Sequence, residues 1–358
     1  MPQDLWPRLI RDTELWWEGR LGRPLVPVVL CKDGPTPQTR LPFNFWMPAY
    51  AADANPEEII DAYDARLSKH EYLSDYAPMF WFNYGPGVIA AWLGSEADFD
   101  GSTVWFHPRE QREIQDIKLQ PGWDHPWLKQ LEAVMRAADR RWQGSVQVGM
   151  TDLGGNLDIV SSFRPGENLL FDLYDAPHQV ERLTWQAHEA WWTYFQHLTS
   201  LVPHNPGYSS WANIFSCKPH YMLQCDFCYM ISPDMFDRFV KPELAATCRR
   251  LGGRAFYHLD GPGQLPHLDS LLSIPELAGI QWVPGTGNRR TEDWPEVFAK
   301  IQKAGKKAQF IGSDLAGFVK LTDRIGSADN IVVAPTWIKP EQLDQTLRLL
   351  DSLGVPVM

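Results

Sequence analysis

Arg254-Ala-Phe-Tyr-His-Leu-Asp-Gly-Pro-Gly-Gln264 is the stretch from which the architecture is read. Ala255 to Tyr257 has the composition of a short buried strand. His258 and Asp260 follow at its C-terminal end, two residues apart, so extended backbone turns both to one side. Gly-Pro-Gly then breaks the chain. A histidine and a carboxylate where a buried strand meets a glycine-rich loop is the arrangement in which α/β enzymes hold their reacting groups.

The same pattern repeats on either side. Segments 78–83, 145–150, 208–213, 221–225, 255–257, 279–283, 308–311 and 331–334, mostly apolar, read as eight buried strands, most separated by helical stretches. Alternation of this kind predicts a mixed α/β protein, a (β/α)8 TIM barrel with an N-terminal extension and insertions. The gap between the third and fourth strands is short for a crossover helix, which leaves a doubly wound open sheet as the alternative. No GxGxxG follows a first strand, so a dinucleotide fold lacks its phosphate loop. The whole chain, 1–358, is expected to form one domain. Residues 1–75 supply N-terminal helices and an aromatic lid loop (Thr36 to Tyr50), and residues 76–358 the barrel core. Residues 4–20 predict an amphipathic helix, and Asn55-Pro56-Glu57-Glu58 predicts the capped start of another that runs to about Tyr72.

Composition narrows the function. The formal net charge is -11, and no Lys/Arg stripe is present, which argues against nucleic acid as a partner. No apolar run approaches a membrane span, and the N-terminus has no signal-peptide pattern, so a cytoplasmic protein is expected. Five cysteines, an odd number, argue against a disulfide framework. Seventeen tryptophans are far above ordinary usage. Some of them must fill the core; others suit a pocket that stacks on a sugar or attracts a cation.

In a barrel the C-terminal strand ends share one face. This chain places there Asn83 and Tyr84, Asp152 and Asn156, Trp211, Cys225 and Asp226, His258 and Asp260, Gln281 and Trp282, Asp314, and Trp337. The set is rich in carboxylate, imidazole, thiol and indole, and poor in Lys and Arg. His258, Asp260 and Cys225 are the candidate metal ligands, since catalytic zinc takes three protein ligands and keeps one position open. Asp152, Asp226 and Asp260, with His258, are the candidate acid/base groups, because a carboxyl among aromatic rings is desolvated and its pKa rises. Asn83, Tyr84, Asn156, Trp211, Gln281, Trp282 and Trp337 are the candidate substrate-binding residues.

Several patches, in order, resemble the uroporphyrinogen decarboxylase superfamily, which includes the corrinoid-linked methylcobalamin methyltransferases. They are Phe82-Asn83-Tyr84 with Ala91-Trp92-Leu93-Gly94, then Gly154-Gly155-Asn156-Leu157 with Leu169 to Pro177. Cys225-Asp226 with Ile231-Ser232-Pro233-Asp234-Met235-Phe236 and Lys241-Pro242 follow. Tyr257-His258-Leu259-Asp260-Gly261 looks like the methyltransferases' H-x-C-G, and Ala334-Pro335 with Lys339-Pro340-Glu341 resembles the closing segment. The likeness runs from about Asn55 to the C-terminus. It departs from the decarboxylases at Arg40 to Trp46, where their arginine-rich segment is missing, and from the methyltransferases at Asp260, where they have cysteine.

The resemblance implies a (β/α)8 barrel and a methyltransferase that moves a methyl group between a cobalamin carrier and a small acceptor. Zinc is then the expected metal, methylcobalamin the co-substrate and a corrinoid carrier protein the partner, with a homodimer left open. A decarboxylase or lyase acting on a small carboxylate or sugar-derived compound is the first alternative. A non-catalytic binder of a small ligand is the second.

Overall fold

Among the described residues twelve short strands form in chain order: β1 Val28–Cys31, β2 His70–Tyr72, β3 Met79–Trp81, β4 Glu96–Phe99, β5 Val104–His107, β6 Gln147–Gly149, β7 Tyr221–Leu223, β8 Ala255–Asp260, β9 Leu277–Val283, β10 Lys307–Phe310, β11 Ile331–Val333 and β12 Thr336–Ile338. The structure, a computed structural model, describes residues 5–357. Five of these strands make one all-parallel sheet in the order β11-β10-β9-β8-β7. Parallel strands need both faces covered, and the buried patterns of β7, β10 and β11 agree with this. Their C-terminal ends all point one way, which puts Asp226, His258, Asp260 and Gln281 on one side of the molecule.

The remaining ladders are fragments. β3 pairs with β6 in parallel, β1 lies between β12 and β2, and β4–β5 is an antiparallel hairpin. Single bridges join Leu25 to Val332 and Met150 to Ser210, both parallel. Among the described residues these ladders do not connect into one closed ring. No strand forms over the expected 208–213. Tyr208 pairs backward with Ser216, Asn213 takes a positive φ of 56°, and its N–H returns to the Ser210 carbonyl, so the chain turns instead of extending.

The N-terminal segment is more integral than an extension. The helix Leu5–Trp17 turns Trp16 and Trp17 onto Phe256, Met222, Leu25 and Val332, which closes the end of the sheet opposite the strand C-termini. Residue 4, where that helix was expected to begin, lies outside the described residues. In the loop expected to be an aromatic lid, Phe43 packs on Tyr63 and Phe80, Phe45 on Trp81, and Trp46 bridges Asn83. The helix expected from Asn55 ends at Leu67 and not at Tyr72, because residues 70–72 pair with β1. Its start is as read: the Asn55 side chain accepts the Glu57 N–H at 3.0 Å, and Pro56 occupies the first turn.

Candidate active site

Asp226, His258 and Asp260 come together. One ligand atom from each lies within 4.8 Å of the other two. β8 turns His258 and Asp260 to the same side, while Leu259 between them is fully buried on the other. Asp226 arrives from the turn after β7. Both Asp158 oxygens hold that turn by accepting the N–H groups of Asp226 and Phe227 at 2.8 Å each.

Cys225 is not in this group. Its backbone is extended (φ −158°, ψ 90°), so Cys225 and Asp226 point to opposite faces. Asp226 faces the opening, and Cys225 is buried in the core beside Cys228. Burial pushes its thiol well above the ordinary range, with Cys228 adding to the effect. The structure therefore puts Asp226 where Cys225 was expected as third ligand.

His258 is oriented from behind. Its Nδ1–H donates to Gln281 Oε1, Gln281 Nε2 donates to Gln309 Oε1 at 2.6 Å, and Gln309 Nε2 donates to the Ala212 carbonyl at 2.9 Å. A glutamine oxygen only accepts, so this chain fixes the proton on Nδ1 and leaves the Nε2 lone pair free. The Trp211 ring stands edge-on to His258 with centroids 5.3 Å apart.

Four carboxyls lie close together with no Arg or Lys among them. Burial lifts Asp152 to about 7, and repulsion from Asp226 adds to it against the Gly154 N–H bonded at 2.9 Å. Burial and Asp226 likewise lift Asp158 to about 8. Solvent reaches Asp226, yet the surrounding protein still desolvates its carboxyl and raises its pKa; His258 opposes the shift and Asp260 reinforces it.

Beside this cluster a cleft of about 660 Å³ is lined by Trp211, Gln281, Asp314 and Trp337, with Asn213 and Thr336. Other expected binding residues face elsewhere. Gln281 points inward, so the next residue, Trp282, points outward and packs on Trp294 with no exposed surface. Tyr84 is buried and donates to Gln130 Oε1 at 2.8 Å in the helical layer. Asn83 accepts the Gly85 N–H at 2.9 Å and shapes its own turn. Asn156, with a φ of 52°, donates to Glu243 Oε2 at 2.6 Å, and Glu243 also binds His188 and Thr247.

Sequence reasoning did not pick out Asp158, Gln309 or Gln264. Gln309 had a signal: it is an uncharged polar residue inside a strand that is buried at every position, where an unpaired amide is costly. Gln264 accepts from the Tyr257 hydroxyl at 3.2 Å behind the cluster. Asp158 had no distinguishing pattern in the sequence.

The fold matches that of a methyltransferase from Methanosarcina mazei with a TM-score of 0.61, over 97% of this chain and 99% of that one, at 14% sequence identity. No family model and no curated protein matches the chain. Among the described residues no helix is long and apolar enough to cross a membrane. The likeness covers both chains almost end to end, and what it shows is a shared mixed α/β fold.

Proposed function

We propose that this chain is an enzyme of the methyltransferase type, which passes a methyl group between a corrinoid on a separate carrier protein and a small acceptor in the Trp211–Trp337 cleft. We read its separate parallel ladders as the staves of one (β/α)8 barrel. The observation that carries the reading is the Asp226–His258–Asp260 cluster at the strand ends, backed by the Gln281–Gln309 chain. A fold shared with a methyltransferase supports it.

The cluster fits a divalent metal. It offers one imidazole nitrogen with its lone pair free and two carboxylates, a set that suits Zn²⁺ or Mn²⁺. His258, Asp226 and Asp260 would hold the ion, which would lower the pKa of a bound acceptor thiol or hydroxyl. Gln281 keeps His258 in the ligating tautomer. Asp152, buried beside the cluster and lifted to about 7, would take the acceptor's proton. Trp211 and Trp337 wall the cleft and hold the acceptor in line while limiting water.

The test is demethylation of methylcobalamin by the zinc-loaded protein with a panel of thiol and folate acceptors. Acceleration that is lost in His258→Ala is the expected result. No acceleration with any acceptor refutes methyl transfer, and release of CO2 from a small carboxylate would move the assignment to the lyase class.

A further inference from the structure

His258 and Asp260 belong to one strand, so the backbone of β8 sets their separation. Asp226 is the member of the cluster that no strand places. The ladder between β7 and β8 ends at the pair Leu223–Tyr257, three residues before it. Asp226 instead opens a short 3-10 turn, Asp226–Met230. A shift of that turn by an ångström would take the third carboxylate out of ligating position.

Side chains from other elements hold the turn. Its first N–H groups lack partners within it, and a Ser, Thr, Asp or Asn just before such a turn ordinarily accepts one. Cys225 stands there, and its side chain caps nothing. The cap comes from 68 positions away: one Asp158 oxygen accepts the Asp226 N–H and the other the Phe227 N–H, both at 2.8 Å. Further along the turn, the Cys228 carbonyl accepts the Nε2–H of His267 at 2.8 Å, and the His267 ring stacks on Phe236 with centroids 4.6 Å apart. Tyr229 lies against the loop that follows Asp260, where a Cβ on Gly263 would stand 2.5 Å from its ring.

Capping alone needs neither a charge nor a distant residue. A distant residue adds a tie between two loops. Asp158 sits on the short helix Asn156–Ser161, in the loop region after β6, and it reaches the loop after β7. β6 and β7 belong to separate ladders, so no strand pairing joins those loops. Both Asp158 oxygens are spent on N–H groups, so Asp158 acts through Asp226 and is not itself a ligand.

We infer that Asp158 is a positioning residue of the cluster, which grips the turn across the unpaired β6–β7 boundary and holds Asp226 within reach of His258 and Asp260 before a metal arrives. The inference rests on the metal reading of that cluster.

The experiment loads the full-length protein with Co²⁺, whose visible absorption reports the number and arrangement of its ligands, and measures Zn²⁺ affinity against a chromophoric chelator. The parent is expected to bind one ion, and Asp226→Asn to lose the absorption band and the affinity together. Asp158→Asn can accept only one of the two N–H groups. It should weaken Zn²⁺ binding about 10- to 100-fold and move the Co²⁺ band toward that of Asp226→Asn. Asp158→Glu, with the same two oxygens on a longer arm, replaces it if the Asn variant does not fold, and the same shift is expected. Asp75→Asn is the control for general destabilisation. Asp75 is a buried carboxylate that pairs with Arg23 and accepts the Val26 N–H at 2.9 Å. Its replacement should lower Tm and leave the band and the affinity as in the parent. If the parent binds neither ion, or Asp226→Asn keeps the parent's band, the metal reading falls and the inference with it. If those two behave as expected while the Asp158 variant keeps the parent's band and affinity, or Asp75→Asn changes them as much, the positioning role alone is overturned.

Discussion

Gln281 accepts the Nδ1–H of His258 and hands the constraint on to Gln309. A single amide thus decides which imidazole nitrogen faces Asp226 and Asp260. Gln281→Leu removes that decision and leaves a half-buried N–H without a partner. Zinc affinity, measured against a chromophoric chelator, is expected to fall about 10- to 100-fold. Unchanged affinity would detach the glutamine chain from the metal reading.

The choice between Asp226 and Cys225 as third ligand is open to direct measurement. Asp226→Asn should strip metal from protein purified in zinc-supplemented medium, as judged by elemental analysis. Cys225→Ala should keep the metal and lose about 1 kcal/mol of stability through the small cavity it leaves. The reverse pattern would restore Cys225 as the ligand.

Stability of the metal-free protein should carry the signature of Asp152. Its folded pKa, about 7, lies above the ordinary value of 3.8, so between those limits the folded state binds a proton that the unfolded state has lost. The contribution of Asp152 is therefore complete at low pH and declines as pH rises from about 4 to about 7, by on the order of 1 kcal/mol per pH unit. His70 and His220, both lowered to about 4 by burial, act in the opposite sense up to about 6.5, so the parent alone shows a blend. Urea midpoints of parent and Asp152→Asn cancel the histidines and report Asp152 together with its repulsion of Asp158 and Asp226. The parent's advantage should shrink with rising pH, and a flat difference would show that Asp152 titrates normally.

Gly154 has a φ of +71°, and a Cβ there would stand 2.5 Å from the Gly87 Cα. Backbone cannot move aside as a flexible side chain can. Gly154→Ala should cost about 2 kcal/mol or more in urea unfolding. It should also disturb Asp152, whose carboxylate accepts the Gly154 N–H and whose carbonyl accepts the Val88 N–H. A substitution tolerated within a few tenths of a kcal/mol would mean that the two glycine loops separate easily.

The strands that became ladders were legible because burial on both faces demands unbroken apolar runs: 255–257, 279–283, 308–311 and 331–334 all fall within or overlap strands of the five-stranded sheet. The run at 208–213, Tyr-Ser-Ser-Trp-Ala-Asn, carries two serines, follows Gly207 and ends on the left-handed Asn213, so both its composition and its turn geometry work against an extended strand. His258 and Asp260 were readable from a spacing of two. Cys225 was not, because the extended geometry that separates it from Asp226 belongs to a loop, where no periodicity announces which of two neighbours faces the opening. Trp282 and Tyr84 show the same limit: adjacent residues at a strand end divide between cleft and helix layer. Register decides which goes where, and composition does not.

Lys307 bonds the Trp16 carbonyl at 2.7 Å across 291 positions of sequence, Leu25 bridges Val332, and β1 aligns with β12. The segment from Leu5 to Cys31 has no finished seat until residues 307–338 exist. A chain made from this end must therefore hold an amphipathic helix carrying Trp6, Trp16 and Trp17 unhoused until those later strands are made. Contacts of such long separation make the last stage of folding slow, and they expose that helix to aggregation or to chaperone capture during the wait.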